Sequence, residues 1–173
     1  MSRWRPLGAV LGLLLCATQA WAAGSLTVAA NPAYSRFTYK ITTPYSSFSS
    51  AGTTFDLTIY ALPAKTRLVS VLADSTVAWT GTACTAITAQ LGKSAGGVEY
   101  LIAFDAKTAT IRRGLADADL GTSINRATAV QGGDLPSFTA ETNLSVRVTT
   151  TLCNTNALTA GSIDWYLTTE ALP

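Results

Sequence analysis

Alternation of apolar and polar side chains with a period of two is the feature that most constrains the fold of this chain. The segment SRFTYKIT (35–42) places Phe37, Tyr39 and Ile41 on one face, and TTFDLTIY (53–60) repeats the pattern. Because successive side chains of a strand point to opposite faces, this pattern is typical of strands with one face in a core and one in water. Strands of this kind are expected to bury their apolar faces by packing two sheets together.

Two pairs of alternating segments are predicted to form hairpins. AITAQLG (86–92) and VEYLIAF (98–104) flank the glycine-rich link KSAGG, which is a usual hairpin signal. NLSVRVTTTL (143–152) and GSIDWYLTTE (161–170) form the second predicted pair, near the end of the chain, and Ile163, Trp165 and Leu167 are expected to share one face of the last strand.

Helical patterns are weak throughout the sequence. IRRGLADADLG (111–121) is the best candidate, and Gly114 interrupts it. Many short strands without helical crossovers predict an all-β fold, an antiparallel β-sandwich of jelly-roll type in a single domain. Residues 105–140 do not fit the strand pattern, so we expect a long connecting loop or partner-binding arm there, with room for a short strand near Thr110 or Ala127.

The first 22 residues have the layout of a secretory signal peptide. Arg3 and Arg5 precede an apolar run over 7–17, and the small-x-small tripeptide 20–22 follows it. Signal peptidase is expected to cleave between Ala22 and Ala23, which leaves the β-sandwich domain as residues 23–173.

Two other functions of this N-terminal segment are less compatible with its residues. The apolar run is short for a membrane span, and polar residues interrupt it. A lipid-modified Cys16 is disfavoured by the bulky Leu15 that precedes it. We therefore predict an exported protein (periplasmic, secreted or cell-surface) that has no membrane association after its signal is removed.

Charge argues against nucleic acid as a partner. Cleavage would remove Arg3 and Arg5, leaving ten basic residues and ten acidic residues in the remaining chain. Nucleic-acid binding needs a concentrated basic face, and a formally neutral chain offers little charge for one.

Two cysteines remain after the predicted cleavage, Cys84 and Cys153. In an oxidising compartment an isolated pair most simply forms one disulfide, so these two residues are the disulfide candidates. The alternative is two buried free thiols. A zinc site is not expected, since such sites usually need four nitrogen or sulfur ligands and the chain contains no histidine.

The missing histidine also removes the commonest general base, and with it the usual Ser-His-Asp and Cys-His catalytic arrangements. Lys93-Ser94 lies in a predicted turn, where a solvated lysine would be a poor base. Asp117 and Asp119 alone supply too few oxygen ligands for a calcium loop. The remaining carboxylates show no spacing that selects a catalytic pair. We therefore predict no catalytic residues, no cofactor and no metal.

Four segments, which cover about two-thirds of the chain, resemble a group of small tailed-phage virion structural proteins known mainly from marine and environmental phages. The segments are TFDLTIYALPAKTRLVSVLADSTVAWTG (54–81), ITAQLGKSAGGVEYLIAFDAKTA (87–109), DLGTSINRATAVQGGDLPSF (119–138) and LTAGSIDWYLTTEALP (158–173). The likeness lies in turns and strands, including an LPA turn, a glycine-rich turn and a closing T-A-G strand.

This resemblance implies a non-enzymatic subunit of a virion tail, neck or head surface, which assembles as a homo-oligomer or with other structural proteins. The signal peptide and the cysteine pair depart from that pattern, because most such proteins assemble in a reducing cytoplasm. The alternative is an exported bacterial periplasmic or cell-surface sandwich that binds a protein or a glycan.

Overall fold

A computed structural model describes residues 26–31, 36–108, 111–121 and 140–171, and the alternating segments of the sequence form strands in it. Three short 3-10 helices, Tyr45–Ser47, Asp117–Asp119 and Thr155–Ala157, lie between strands. The strands among the described residues are β1 Leu26–Asn31, β2 Arg36–Pro44, β3 Thr54–Leu62, β4 Thr66–Gly81, β5 Ala86–Gly92, β6 Leu101–Asp105, β7 Ile111–Arg113, β8 Thr142–Thr151 and β9 Leu158–Ala171.

The strands form two antiparallel sheets, in the order β1-β2-β9-β4-β7 and β3-β8-β5-β6. Their pairing is nested: β5 pairs with β6, β4 with β7, β3 with β8 and β2 with β9. The chain is therefore one long hairpin with its tip between β5 and β6, rolled so that β9 also pairs with β4 and β8 with β5. Eight strands connected in this way form a jelly roll, which confirms the predicted fold class. β1 adds a ninth strand at one edge.

One predicted hairpin is confirmed and the other is wrong. β5 and β6 pair across the glycine-rich link as expected. β8 and β9 do not pair, because β8 lies between β3 and β5 while β9 lies between β2 and β4 in the facing sheet. Alternation shows which face of a strand is buried but not which sheet holds its partner. The connection over 152–157 carries the chain from one sheet to the other.

The core lies between the two sheets, and the predicted inward faces supply it. Ile163, Trp165 and Leu167 of β9 are fully buried, as their alternation predicted. Ile41 of β2 is buried, whereas Phe37 remains 37% exposed near the end of that strand. Trp79 and Trp165 are the two largest buried side chains, so both tryptophans act in packing.

A glycine in β9 makes room for one of these tryptophans. Gly161 has φ +135°, in the region that favours glycine, and a Cβ there would lie 2.4 Å from Cγ of Trp79. No side chain fits at this position without moving the indole ring.

The first part of the segment 105–140 has more regular structure than its sequence indicated. β7 begins directly after Thr110, next to the position where a short strand was expected, and pairs with β4. The helix candidate 111–121 instead forms β7 and one 3-10 turn, because Gly114 has φ +99° and ends the strand. Ala127 and the predicted cleavage site at Ala22 and Ala23 lie outside the described residues, so the signal peptide stays a prediction.

Candidate functional site

Four connecting segments meet at one end of the sandwich, and a disulfide joins two of them. Cys84 and Cys153 are bonded, with their Cα atoms 4.9 Å apart, which confirms the predicted pair. The bond crosses from the β4–β5 connection to the β8–β9 connection. We call the four segments 48–53, 82–85, 106–108 and 152–157 the clamped end.

Hydrogen bonds connect all four segments of the clamped end. The contacts are Thr155 N to Gly52 O at 2.9 Å, Thr82 N to Ala157 O at 3.1 Å and Lys107 Nζ to Cys84 O at 2.9 Å. Since these donors and acceptors belong to connections that are far apart in sequence, the end is held as one rigid unit.

The residue before each cysteine has a backbone conformation that is unfavourable for its side chain. Ala83 and Leu152 both have φ 62°, in the left-handed region that non-glycine residues seldom adopt. Such a conformation costs about 1 kcal/mol for each residue. Leu152 is also 76% exposed, so the clamped end presents an aliphatic side chain to solvent on a strained turn.

A groove lies along the edge strand β6, on the side where β6 and β7 end the two sheets. It has a volume of about 260 Å³ and is lined by Ile102, Ala103, Phe104, Asp105, Arg113 and Asp119. We call it the β6 groove. Ile102 at its side is 41% exposed, and Leu115, which follows β7, is 76% exposed.

The two carboxylates of the β6 groove accept backbone hydrogen bonds, Asp105 from Lys107 at 2.8 Å and Asp119 from Gly114 at 3.2 Å, whereas Arg113 is loosely paired. Nη1 of Arg113 lies 3.5 Å from Oδ1 of Asp119, and Nε of Arg113 is buried without an acceptor among the described residues. The register of β6 against β5 shifts beside Ile102 and Ala103. An irregular edge strand is a poor template for adding another strand.

The β5–β6 link is folded against the outer face of the four-stranded sheet. Asp56 accepts hydrogen bonds from Nε and Nη2 of Arg147, at 2.9 and 2.7 Å, and from the backbone N–H of Gly96 at 3.0 Å. Gln90 donates to the carbonyl of Gly96 at 2.9 Å. The hydrogen bonds and charge of Arg147 are the main reason that the pKa of Asp56 lies below its usual value.

Asp56→Asn is expected to lower the free energy of unfolding by about 1 kcal/mol and to speed hydrogen exchange at the Gly96 amide. The depressed pKa of Asp56 means that this stabilisation is fully present above the unfolded pKa near 3.8 and is lost as the pH falls through the folded value. Urea unfolding at pH 7 and at pH 2 measures the loss of stability and its dependence on pH. Hydrogen exchange at the Gly96 amide is measured separately.

The matched control is Asp74→Asn, since Asp74 pairs with Arg112, whose side chain is 63% exposed. This control is expected to change stability by less than about 0.5 kcal/mol at either pH. An equal loss in both variants at pH 7 would contradict a special role for Asp56 in holding the link.

Charged side chains on the outer face of the five-stranded sheet form ion pairs between neighbouring strands. Glu170 of β9 lies 3.2 Å from Nε of Arg36 and 3.0 Å from Nη2 of Arg67, and these arginines lower the pKa of Glu170, with Arg67 contributing most. Asp164 binds Lys40 at 2.8 Å and accepts from Thr42 at 2.6 Å. This face has charges of both signs in local pairs, so it presents no uniform field to a charged partner.

The structure does not assemble the chemical groups that the sequence analysis considered into a reactive cluster. Asp56 and Asp164 lie on different sheets and each has its own cation. Glu99 accepts the backbone N–H of Lys93 at 3.1 Å within the β5–β6 link. Among residues 26–31, 36–108, 111–121 and 140–171, no group of three or more histidine, cysteine, aspartate or glutamate residues could hold a metal ion.

In the described part of the chain, no helix is long and hydrophobic enough to span a bilayer.

Sequence reasoning found the disulfide but missed the β6 groove and the Asp56–Arg147 pair. Asp56 and Arg147 are separated by 91 residues, and only the β3–β8 pairing places them opposite each other. Their opposite charges at outward positions of two strands were the available signal, and it became specific only once the strand register was known.

Fold and surface together define a disulfide-linked jelly-roll β-sandwich with a rigid end and a grooved edge. No protein-family model matches the chain, and no curated protein matches it. Among solved structures, the chain is similar to one described as the cyanophage Pam1 capsid asymmetric unit, with 18% sequence identity and a TM-score of 0.48. That match covers 92% of this chain and 100% of the other.

Proposed function

We propose that this chain is a non-enzymatic structural subunit of the virion type, which works by assembling with copies of itself or with other structural proteins. The observation that carries the proposal is the nested strand order of a jelly roll, in which β2 pairs with β9, β3 with β8 and β4 with β7. Jelly rolls recur in viral capsid domains, where rigid sandwiches pack side by side. A tail, neck or head-surface position is consistent with this role.

The distribution of polar and apolar surface supports a role in assembly. Charges on the outer faces are paired locally, whereas large apolar side chains are exposed at several places: Leu152 at the clamped end, Ile102 at the β6 groove, Leu115 after β7, and Phe37, Val77 and Val98 elsewhere. A subunit that binds through such surfaces depends on shape and apolar contact, which a protein without strong net charge can use repeatedly.

The Cys84–Cys153 bond supports an oxidising compartment at the time the protein folds or acts. Structural disulfides persist in exported proteins and on virion surfaces and are rare in reducing cytoplasm. We therefore retain export through the predicted signal peptide, with incorporation into a virion as the alternative site of action.

The disulfide favours a second candidate function, an exported bacterial periplasmic or cell-surface sandwich that binds a protein or a glycan. Jelly rolls also form lectin domains. Sugar binding by stacking needs an exposed aromatic ring, and Trp79 and Trp165 are fully buried. Phe37, which is 37% exposed on β2, is the aromatic ring that such stacking would use.

Native mass spectrometry and negative-stain electron microscopy of the full chain, purified as the cell produces it, test the proposed function. We expect trimers, rings or larger repeated assemblies at micromolar to millimolar concentration. A protein that stays monomeric and binds a glycan array saturably would overturn the assembly role and favour the second candidate.

A further inference from the structure

We propose that Sγ of Cys153 is the atom at which the Cys84–Cys153 bond exchanges with external thiols, and that Cys84 departs beside the ammonium group of Lys107. This reactivity goes beyond the proposed assembly role and does not depend on it. Three features of the clamped end support the site: the unequal burial of the two cysteines, the uncharged turn around Cys153 and the position of Lys107.

The two cysteines differ in how far the protein covers them. Cys84 is 8% exposed and belongs to the buried core, whereas Cys153 is only partly buried and packs against that core. A Cβ added to Gly81 would lie 2.5 Å from Sγ of Cys84, so the backbone at the end of β4 lies close against this sulfur. Because thiol–disulfide exchange requires a thiolate to reach one of the two sulfurs, the less covered sulfur of Cys153 is favoured.

The turn that carries Cys153 is exposed and uncharged. Thr151, Leu152 and Asn154 on both sides of the cysteine are exposed. The sequence over 148–163 contains no charged side chain. Since an attacking thiolate is an anion, this segment presents no like charge that would repel it.

Lys107 lies where it can stabilise the sulfur that departs. Its Nζ donates to the carbonyl oxygens of Cys84 and Thr85, at 2.9 and 3.2 Å, so a positive charge lies beside the segment that holds Cys84. Burial in the core disfavours a thiolate, and a nearby cation offsets this cost. Once it is protonated, the Cys84 thiol has an acceptor in the carbonyl of Thr82, which lies 3.8 Å from its sulfur.

Reduction of the bond takes two balanced steps. An external thiolate forms a bond to Sγ of Cys153 while the protein disulfide breaks, and the electron pair of that disulfide leaves with Sγ of Cys84. A second thiolate then attacks the external sulfur of the mixed disulfide and releases Cys153. The protein gains two electrons, and the two external thiols are oxidised to a disulfide.

Formation of the bond follows the same path in reverse. The Cys153 thiolate attacks a disulfide donor and forms a mixed disulfide with it. The Cys84 thiolate then attacks Sγ of Cys153 and displaces the remaining donor thiolate, so the donor is reduced by two electrons. Cys153 is therefore the residue that meets the donor when the bond forms and the reductant when it is broken.

Trapping of the mixed disulfide tests the position of attack. Glutathione is added to the oxidised full-length protein, the reaction is stopped early with acid, and free thiols are alkylated. The protein carries Cys16→Ala, so that only the two bonded cysteines react. Peptide mass spectrometry is expected to find glutathione on Cys153 and the alkyl group on Cys84, in about tenfold excess over the reverse pattern. Equal amounts of the two patterns, or an excess of glutathione on Cys84, would overturn the inference.

Reduction rates of three further variants test the part assigned to Lys107: Lys107→Met, Lys107→Arg and the control Lys93→Met. Lys93 belongs to the link at the other end of β5, so its replacement removes the same charge far from the disulfide. We expect glutathione to reduce Lys107→Met about threefold more slowly than wild type, and to reduce the other two variants at the wild-type rate. A merely structural contact would leave the rate of Lys107→Met unchanged or raise it by loosening the segment, and either result would contradict this part of the inference.

Discussion

Replacing Cys84 and Cys153 together with serine is expected to lower the free energy of unfolding by about 4 kcal/mol. The bond closes a loop between residues 69 positions apart, and loss of a cross-link of this length restores considerable entropy to the unfolded chain. Relief of the left-handed backbone at Ala83 and Leu152 would offset part of that loss, so the observed value should fall slightly below the entropic estimate.

Urea unfolding followed by far-ultraviolet circular dichroism measures this change. Wild type treated with a reductant should match the double variant, because both lack only the cross-link. Hydrogen exchange should increase first at the amides of Thr155 and Thr82, which bond across the clamped end. A loss below about 1 kcal/mol would show that the hydrogen bonds hold these connections without the disulfide.

Much of the fold could be predicted from the sequence because alternation reports burial directly. Ile41 of β2 and Trp165 of β9 lie in the core as their alternation predicted. The order of strands within the sheets was harder to predict from the sequence. A rolled hairpin brings β9 against β4, more than 70 residues away, and no local pattern encodes that pairing.

The β6 groove and the turn at Leu152 were harder to predict for a related physical reason. The groove combines β6 with Arg113 and Asp119, which looked like part of an irregular connection in the sequence. The exposed Leu152 was counted as the end of a strand. Its left-handed backbone, next to a disulfide, cannot be predicted from residue type.

Trp165→Ala is expected to cost about 4 kcal/mol, an effect comparable in size to that of removing the disulfide. The indole is fully buried in β9, and its ring packs edge-on against Phe104 with centroids 6.2 Å apart. Truncating a buried tryptophan loses its burial energy and leaves a cavity, which together cost about 3–5 kcal/mol. The Nε1 group also donates to Oγ1 of Thr43 at 2.8 Å, so the variant leaves that buried hydroxyl oxygen without its donor.

A comparison of phenylalanine variants separates packing from hydrogen bonding at this site. Trp79 is equally buried, but its Nε1 has no acceptor among the described residues. Trp165→Phe removes a hydrogen bond to Thr43, whereas Trp79→Phe removes a buried N–H donor that has no acceptor among the described residues. We therefore expect Trp165→Phe to be less stable than Trp79→Phe by about 1 kcal/mol in urea unfolding measured by circular dichroism. Equal losses would mean that the Thr43 hydroxyl finds another donor, and that packing alone determines the role of Trp165.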